Sequence, residues 1–160
     1  MTVTSPPSRF TALSLGLLRS ETDASLGFQV LWLLMRLSAG GLMIHNGLDK
    51  LADVQGFADN VVAFIGLPYP LFFTYCAAYV EIVSAILLIL GVLTRFNALA
   101  LLFTMAVAIF FHIKADGLQI TPLETATLYA SFYLFFLVNG AGKFAIDTWL
   151  WQQLGGTSDS

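Results

Sequence analysis

The chain has 160 residues, of which 58% are hydrophobic and only 11% charged, where a soluble domain carries about 25% charged residues. That balance excludes a disordered chain, which needs low hydrophobicity and high charge. Seven Lys+Arg against ten Asp+Glu exclude nucleic acid as a partner, since that needs a basic face. A single cysteine, Cys76, excludes an internal disulfide and any CxxC redox or zinc motif, and an integral membrane protein is the class that fits.

Residues 1–25 read as a tail. Ser5-Pro6-Pro7-Ser8 breaks regular structure, and Ala12 to Leu18 is apolar but too short to span. No small-residue cleavage pattern follows it, so the expectation is a cytoplasmic tail, either floppy or lying on the membrane, and not a cleaved signal peptide. Residues 26–149 form the membrane domain, and 150–160 a second tail. Four continuous apolar stretches run from Leu26 to Leu48, Leu71 to Leu93, Phe96 to Ile113 and Leu123 to Val138. About 20 helical residues cross a ~30 Å hydrocarbon layer, and the stretches lack the alternation of barrel strands. The predicted fold is all-α, an integral membrane four-helix bundle. Between the first two spans, Val54, Phe57, Val61, Phe64 and Ile65 repeat at helical spacing beside polar Asp53, Asp59 and Asn60, which predicts a short amphipathic helix at the interface. Gly66-Leu67-Pro68-Tyr69-Pro70 then turns the chain. Gly140-Ala141-Gly142-Lys143 reads as a helix stop, and Trp149 and Trp151 suit the headgroup belt. Arg9, Arg19, Arg95 and Lys143 fall on one side and Lys50 and Lys114 on the other, which places both termini in the cytoplasm.

Ionisable groups within spans are costly and mark candidate sites. Arg36 lies in the middle of the first span and Glu81 in the middle of the second. A lone arginine there costs roughly 2.5–3.5 kcal/mol on the insertion scale, and an arginine–carboxylate pair offsets much of that. The expectation is that Arg36 and Glu81 pair across the first two spans, either as a structural lock or as the polar wall of a small-molecule pocket with Glu81 carrying protons. Arg36, Gly40, Met43, Gly47 and Lys50 share one helical stripe, whose small residues admit a close neighbour. His45, His112 and Glu124 all fall at one membrane level and could converge there. Imidazoles at that level are either hydrated side chains, hydrogen-bond partners of a quinone, or ligands of haem or metal. Glu124, Thr127 and Ser131 form a polar stripe expected to face the bundle interior. Tyr75 with Tyr79, and Tyr129 with Tyr133, are i,i+4 pairs that fill a core or line a flat cavity. Cys76 has no basic neighbour in sequence to activate it.

The chain also resembles the DoxX family from about residue 28 to 149. The likeness is carried by Leu34-Met35-Arg36-Leu37 with Gly40 and Gly41, then Asn46-Gly47-Leu48-Asp49-Lys50-Leu51 and Gly66-Leu67-Pro68. It continues through Ala78-Tyr79-Val80-Glu81-Ile82, Leu90-Gly91-Val92-Leu93-Thr94-Arg95 and Asn139-Gly140-Ala141-Gly142-Lys143-Phe144-Ala145-Ile146-Asp147. Ala141 departs from the proline usual in the family's ending. The resemblance implies a four-helix bacterial inner-membrane protein related to subunits of a quinol oxidase and of thiosulfate:quinone oxidoreductase. It gives Arg36, Gly47, Lys50, Glu81 and Asp147 as pattern residues. The resulting expectation is a redox-associated, quinone-interacting protein with quinone as the cofactor, ahead of haem or metal. Glu81 and Arg36 would be its catalytic centre, and His45, Tyr79, Lys50, His112 and Glu124 its cofactor contacts. The expected partners are the lipid bilayer, a quinone, and a soluble redox enzyme or further copies of the chain. The alternative is a non-catalytic accessory or anchoring subunit.

Overall fold

A computed structural model describes residues 20 and 22–154. The tail expected over 1–25 therefore lies almost wholly outside the described residues, as do residues 155–160. The helices are α1 (Leu26–Ala52), α2 (Val54–Ile65), α3 (Pro70–Leu90), α4 (Thr94–Asp116), α5 (Ile120–Asn139) and α6 (Ile146–Gln153). No strand occurs among the described residues. Three helices, α1, α3 and α4, are long and apolar enough to cross a membrane, and α5 adds 20 residues.

Local chemistry sets the helix ends. Ser25 caps α1 by accepting from the Phe28 N–H, and Pro70 opens α3, where its missing N–H costs nothing. Helix α3 ends in a Schellman motif on Gly91, whose φ is 69°. There the Val92 N–H donates to Leu87 O and the Gly91 N–H to Leu88 O. The amphipathic segment is present, but it buries Ala58 and Val62 and leaves Phe64 half exposed. A π-turn over Ala58–Val62 shifts its face from the one a regular helix would present.

Neighbours in the bundle are α1 with α3, α3 with α4, and α4 with α5, whereas α1 and α5 touch only sparsely. Trp32, Met43, Leu88, Leu101, Met105, Tyr133 and Phe136 fill the core. Leu34, Phe72, Phe96, Phe103, Phe110, Leu128 and Val138 face outward. Large apolar side chains covering the exterior of long helices suit lipid, not water; the chain is a membrane protein.

The register of α1 on α3 is set by two glycines. A Cβ on Gly47 would lie 2.6 Å from Ile82 Cγ1 and 3.0 Å from Ala78 O, and one on Gly40 would lie 2.5 Å from Ile89 Cγ1. The stripe read from the sequence does face α3, and Arg36, Gly40, Met43 and Gly47 are all buried. This register overturns the expected Arg36–Glu81 pair. With Gly40 against Ala85 and Ile89 and Gly47 against Ala78 and Ile82, Arg36 stands opposite the end of α3. A Cβ on Gly91 would lie 2.8 Å from its Nη1. Glu81 is ten positions before Gly91 in α3, about 15 Å along a helix at 1.5 Å per residue.

Arg36 instead fastens the end of the bundle where α3 ends and α6 begins. Its Nη1 donates to Ala141 O at 2.6 Å and its Nη2 to Phe144 O, while Asp147 acts on it electrostatically. The Asp147 carboxylate accepts from the Leu93 N–H at 2.7 Å and the Thr94 N–H at 2.8 Å, capping α4. Leu93 has φ 45°, a left-handed conformation costing an L-residue about 1–2 kcal/mol, and the two bonds to Asp147 hold it there. The Asp147 N–H donates to Gly91 O, the Thr148 hydroxyl to Gly142 O, and the Lys143 N–H to Gln29 Oε1. The segment after α5, a helix stop as expected, is thus also a clasp.

Two outcomes test this packing by thermal unfolding in detergent. Gly47→Ala should destabilise by about 1–3 kcal/mol, the cost of overpacking. Gly41→Ala, with nothing within 4 Å of its added Cβ, should be neutral or slightly stabilising. In double-mutant cycles, Arg36→Met with Asp147→Asn should couple by more than ~0.5 kcal/mol, while Arg36→Met with Glu81→Gln should be additive within that margin. Strong coupling in the second cycle would refute the register described above.

Candidate functional site

Glu81 is buried in the face of α3 that meets α1, and its partner is Lys50. The Lys50 Nζ donates to Glu81 Oε2 at 2.6 Å and to Asn46 O at 3.3 Å. Helical side chains lean toward the N-terminus of their helix, so Lys50, near the end of α1, reaches back along the helix to the level of Glu81. The Glu81 side chain is only 3% exposed and that of Lys50 16%. The Lys50 ammonium also sits 5.1 Å from the centre of the Phe57 ring of α2, a favourable cation–π contact. Removing one partner of a buried pair leaves an uncompensated charge at a cost of about 3–5 kcal/mol. The arrangement can hold a proton between an amine and a carboxylate, away from bulk water. Its sequence signal was the stripe from Arg36 through Gly40, Met43 and Gly47 to Lys50, which puts both cations on the α3 face. Only the helix register says which of them Glu81 meets.

Between α1 and α5 the bundle leaves a groove of about 640 Å³. Leu31, Leu34, Leu42, Leu128 and Phe132 form apolar walls, and Ser38, Glu124, Thr125 and Tyr129 are its polar groups. None of these four side chains has a hydrogen bond to another described residue. By contrast, the hydroxyls of Thr104 and Ser131 donate to carbonyls of their own helices. Tyr129 stacks on Tyr133 with ring centroids 6.1 Å apart and planes at 16°. Tyr133 is fully buried and donates to Ala39 O at 3.4 Å. The stack therefore runs from the groove wall into the core.

The other expected contacts are dispersed. His45 Nε2 lies 3.4 Å from Asp49 and His112 Nδ1 3.4 Å from Asp116, each four residues along its own helix. Glu124 lines the groove rim. The three are not gathered, and among the described residues no group of three His, Cys, Asp or Glu side chains is placed to hold a metal ion. Tyr79 is 56% exposed and stacks on Tyr75, away from the groove. The stripe of Glu124, Thr127 and Ser131 faces outward, contrary to expectation. Helix α5 turns Ala126, Tyr133 and Phe136 to the core instead, and Ser131 satisfies its hydroxyl on Thr127 O at 2.9 Å. Cys76 is half-buried and free.

Comparison with known proteins gives the same family as the sequence motifs. The DoxX family model matches residues 31–113. A Haemophilus influenzae protein described as uncharacterized is 43% identical over 76 residues, 44% of this chain and 57% of its own length. The chain thus spans a little over half of that relative. A second protein of that organism, also described as uncharacterized, is 30% identical over 132 residues, 77% of this chain and 85% of its own length. No solved structure matches. The matched region runs from near the start of α1 almost to the end of α4 and holds the glycine register, Arg36 and the Lys50–Glu81 pair, and the chain belongs to the DoxX family.

Proposed function

We propose that the protein is a redox-associated component of the bacterial inner membrane, with both termini cytoplasmic, that takes a quinone into the groove between α1 and α5. The groove carries this reading: an apolar slot reachable from the lipid, with four hydroxyl or carboxylate groups that make no hydrogen bond to other described residues. Polar groups facing hydrocarbon are costly unless paired, so a ligand with an apolar tail and a polar ring fits the walls and the unpaired groups together. A bound quinone supplies a reversible two-electron, two-proton couple. The chain's own residues do the rest. Leu34, Leu128 and Phe132 exclude water, Ser38, Thr125 and Tyr129 orient the polar head, and the buried Lys50–Glu81 pair holds a proton. His45, His112 and Tyr79 lie outside this arrangement, and Arg36 serves the clasp.

Organic extraction of the protein purified from its membrane, with chromatography of the extract, tests the reading. Quinone should be recovered from the wild type and lost from Leu34→Trp, which fills the groove, with helicity unchanged. In the Glu81→Gln protein quinone should remain bound while quinone-linked turnover falls about 100-fold, the usual weight of a proton-transferring group. An extract without quinone, together with no binding of added short-chain quinone, would leave the anchoring-subunit reading in its place.

A further inference from the structure

The end of the bundle that holds Lys50 and Glu81 is closed by α2, and the way α2 is held is unlike the way the long helices pack. It contributes two buried side chains, Ala58 and Val62, set in a π-turn, an element frequent at functional sites. At each end a lysine from a long helix meets one of its phenylalanines. The Lys50 ammonium lies 5.1 Å from the Phe57 ring while bonded to Glu81. The Lys114 ammonium lies 5.3 Å from the Phe64 ring and donates to Phe64 O at 2.8 Å. Phe64 also meets Phe111 edge-on, with centroids 5.8 Å apart. Both ends of α2 are turning points. Before it, the Asp53 carboxylate accepts from the Gly56 N–H at 2.9 Å, and a Cβ on Gly56 would run into that carboxylate. After it, Gly66 has φ 92°. Lys114 and Phe64 are both exposed, so the far contact is a surface one that opens without disturbing the core.

We propose that α2 is a hinged cover over the Lys50–Glu81 pair, latched at its free end by Lys114 on Phe64. Its opening is the route by which water reaches Glu81. The cover turns about the Asp53–Gly56 and Gly66 turns. Because one ammonium touches both Glu81 and Phe57, the near end of the cover is coupled to the occupancy of the pair: Lys50 cannot leave Glu81 without also changing its contact with Phe57. This inference concerns access to the pair and stands independently of what binds in the groove.

The test uses the full-length protein in lipid nanodiscs and a water-soluble carbodiimide. The reagent activates a carboxylate, and the adjacent Lys50 amine then forms an amide with Glu81 by net loss of one water, read by mass spectrometry as a joined pair of peptides. Lys114→Gln, which removes the latch charge from the surface, should speed this joining about tenfold and leave labelling of exposed Asp59 unchanged. In a Cys76→Ser background, Phe64→Cys with Phe111→Cys joined by a short bismaleimide should slow it by a similar factor, and the unjoined double variant should not be slowed. Matched melting temperatures show that the variants are folded. Equal rates in the unlatched, locked and parent proteins would overturn the cover, because water would then reach Glu81 by another path.

Discussion

The contact on which the rest depends is the close approach of α1 to α3 at Gly40 and Gly47. With hydrogen in place of a side chain, the two backbones meet at Ile82, Ala78, Ile89 and Ala85. In lipid there is no hydrophobic drive between helices, and such close packing is what holds them together. It also fixes the register, and the register decides the electrostatics. Two cations lie on the α3 face of α1, and α3 carries one buried carboxylate. The register delivers Lys50 to that carboxylate and Arg36 to the turn after α3.

Each cation then organises one end of the molecule. Arg36 takes backbone carbonyls from the segment after α5, and Asp147 from that segment caps α4 through a strained Leu93. This clasp joins α1, the α3–α4 turn and the α5–α6 segment through charge-assisted hydrogen bonds, which are strong when buried. At the other end Lys50 links α1, α2 and α3 by one ion pair and one cation–π contact. Since the clasp already ties the end of α5 to α1, those two helices need no continuous packing, and their sparse contact leaves a groove between them.

The groove and the ion pair are complementary in kind. One is apolar and lined with polar groups that make no hydrogen bond to other described residues; the other is charged, paired and buried. Tyr129, on the groove wall, stacks on the buried Tyr133.

Class, family and the positions of the membrane helices were legible without coordinates, because long apolar runs in a chain with few charges admit no other fold in lipid. The motifs around Gly47, Lys50, Glu81 and Asp147 were also legible, as was the small-residue face of α1. The partners of Arg36 and Glu81 were not: both lie mid-span by counting, and a shift of two or three turns between helices leaves every apolar run unchanged. The outward turn of Glu124, Thr127 and Ser131 escaped for a related reason, since a helix can satisfy hydroxyls on its own carbonyls and so leaves the facing of a polar stripe open. The sequence by itself determined which segments are long and apolar enough to cross a bilayer, through hydropathy, a local property of each segment. Only the tertiary structure decided which charges meet and where the groove opens, because those follow from sub-ångström fit at two glycines and from a clasp whose halves are more than a hundred residues apart.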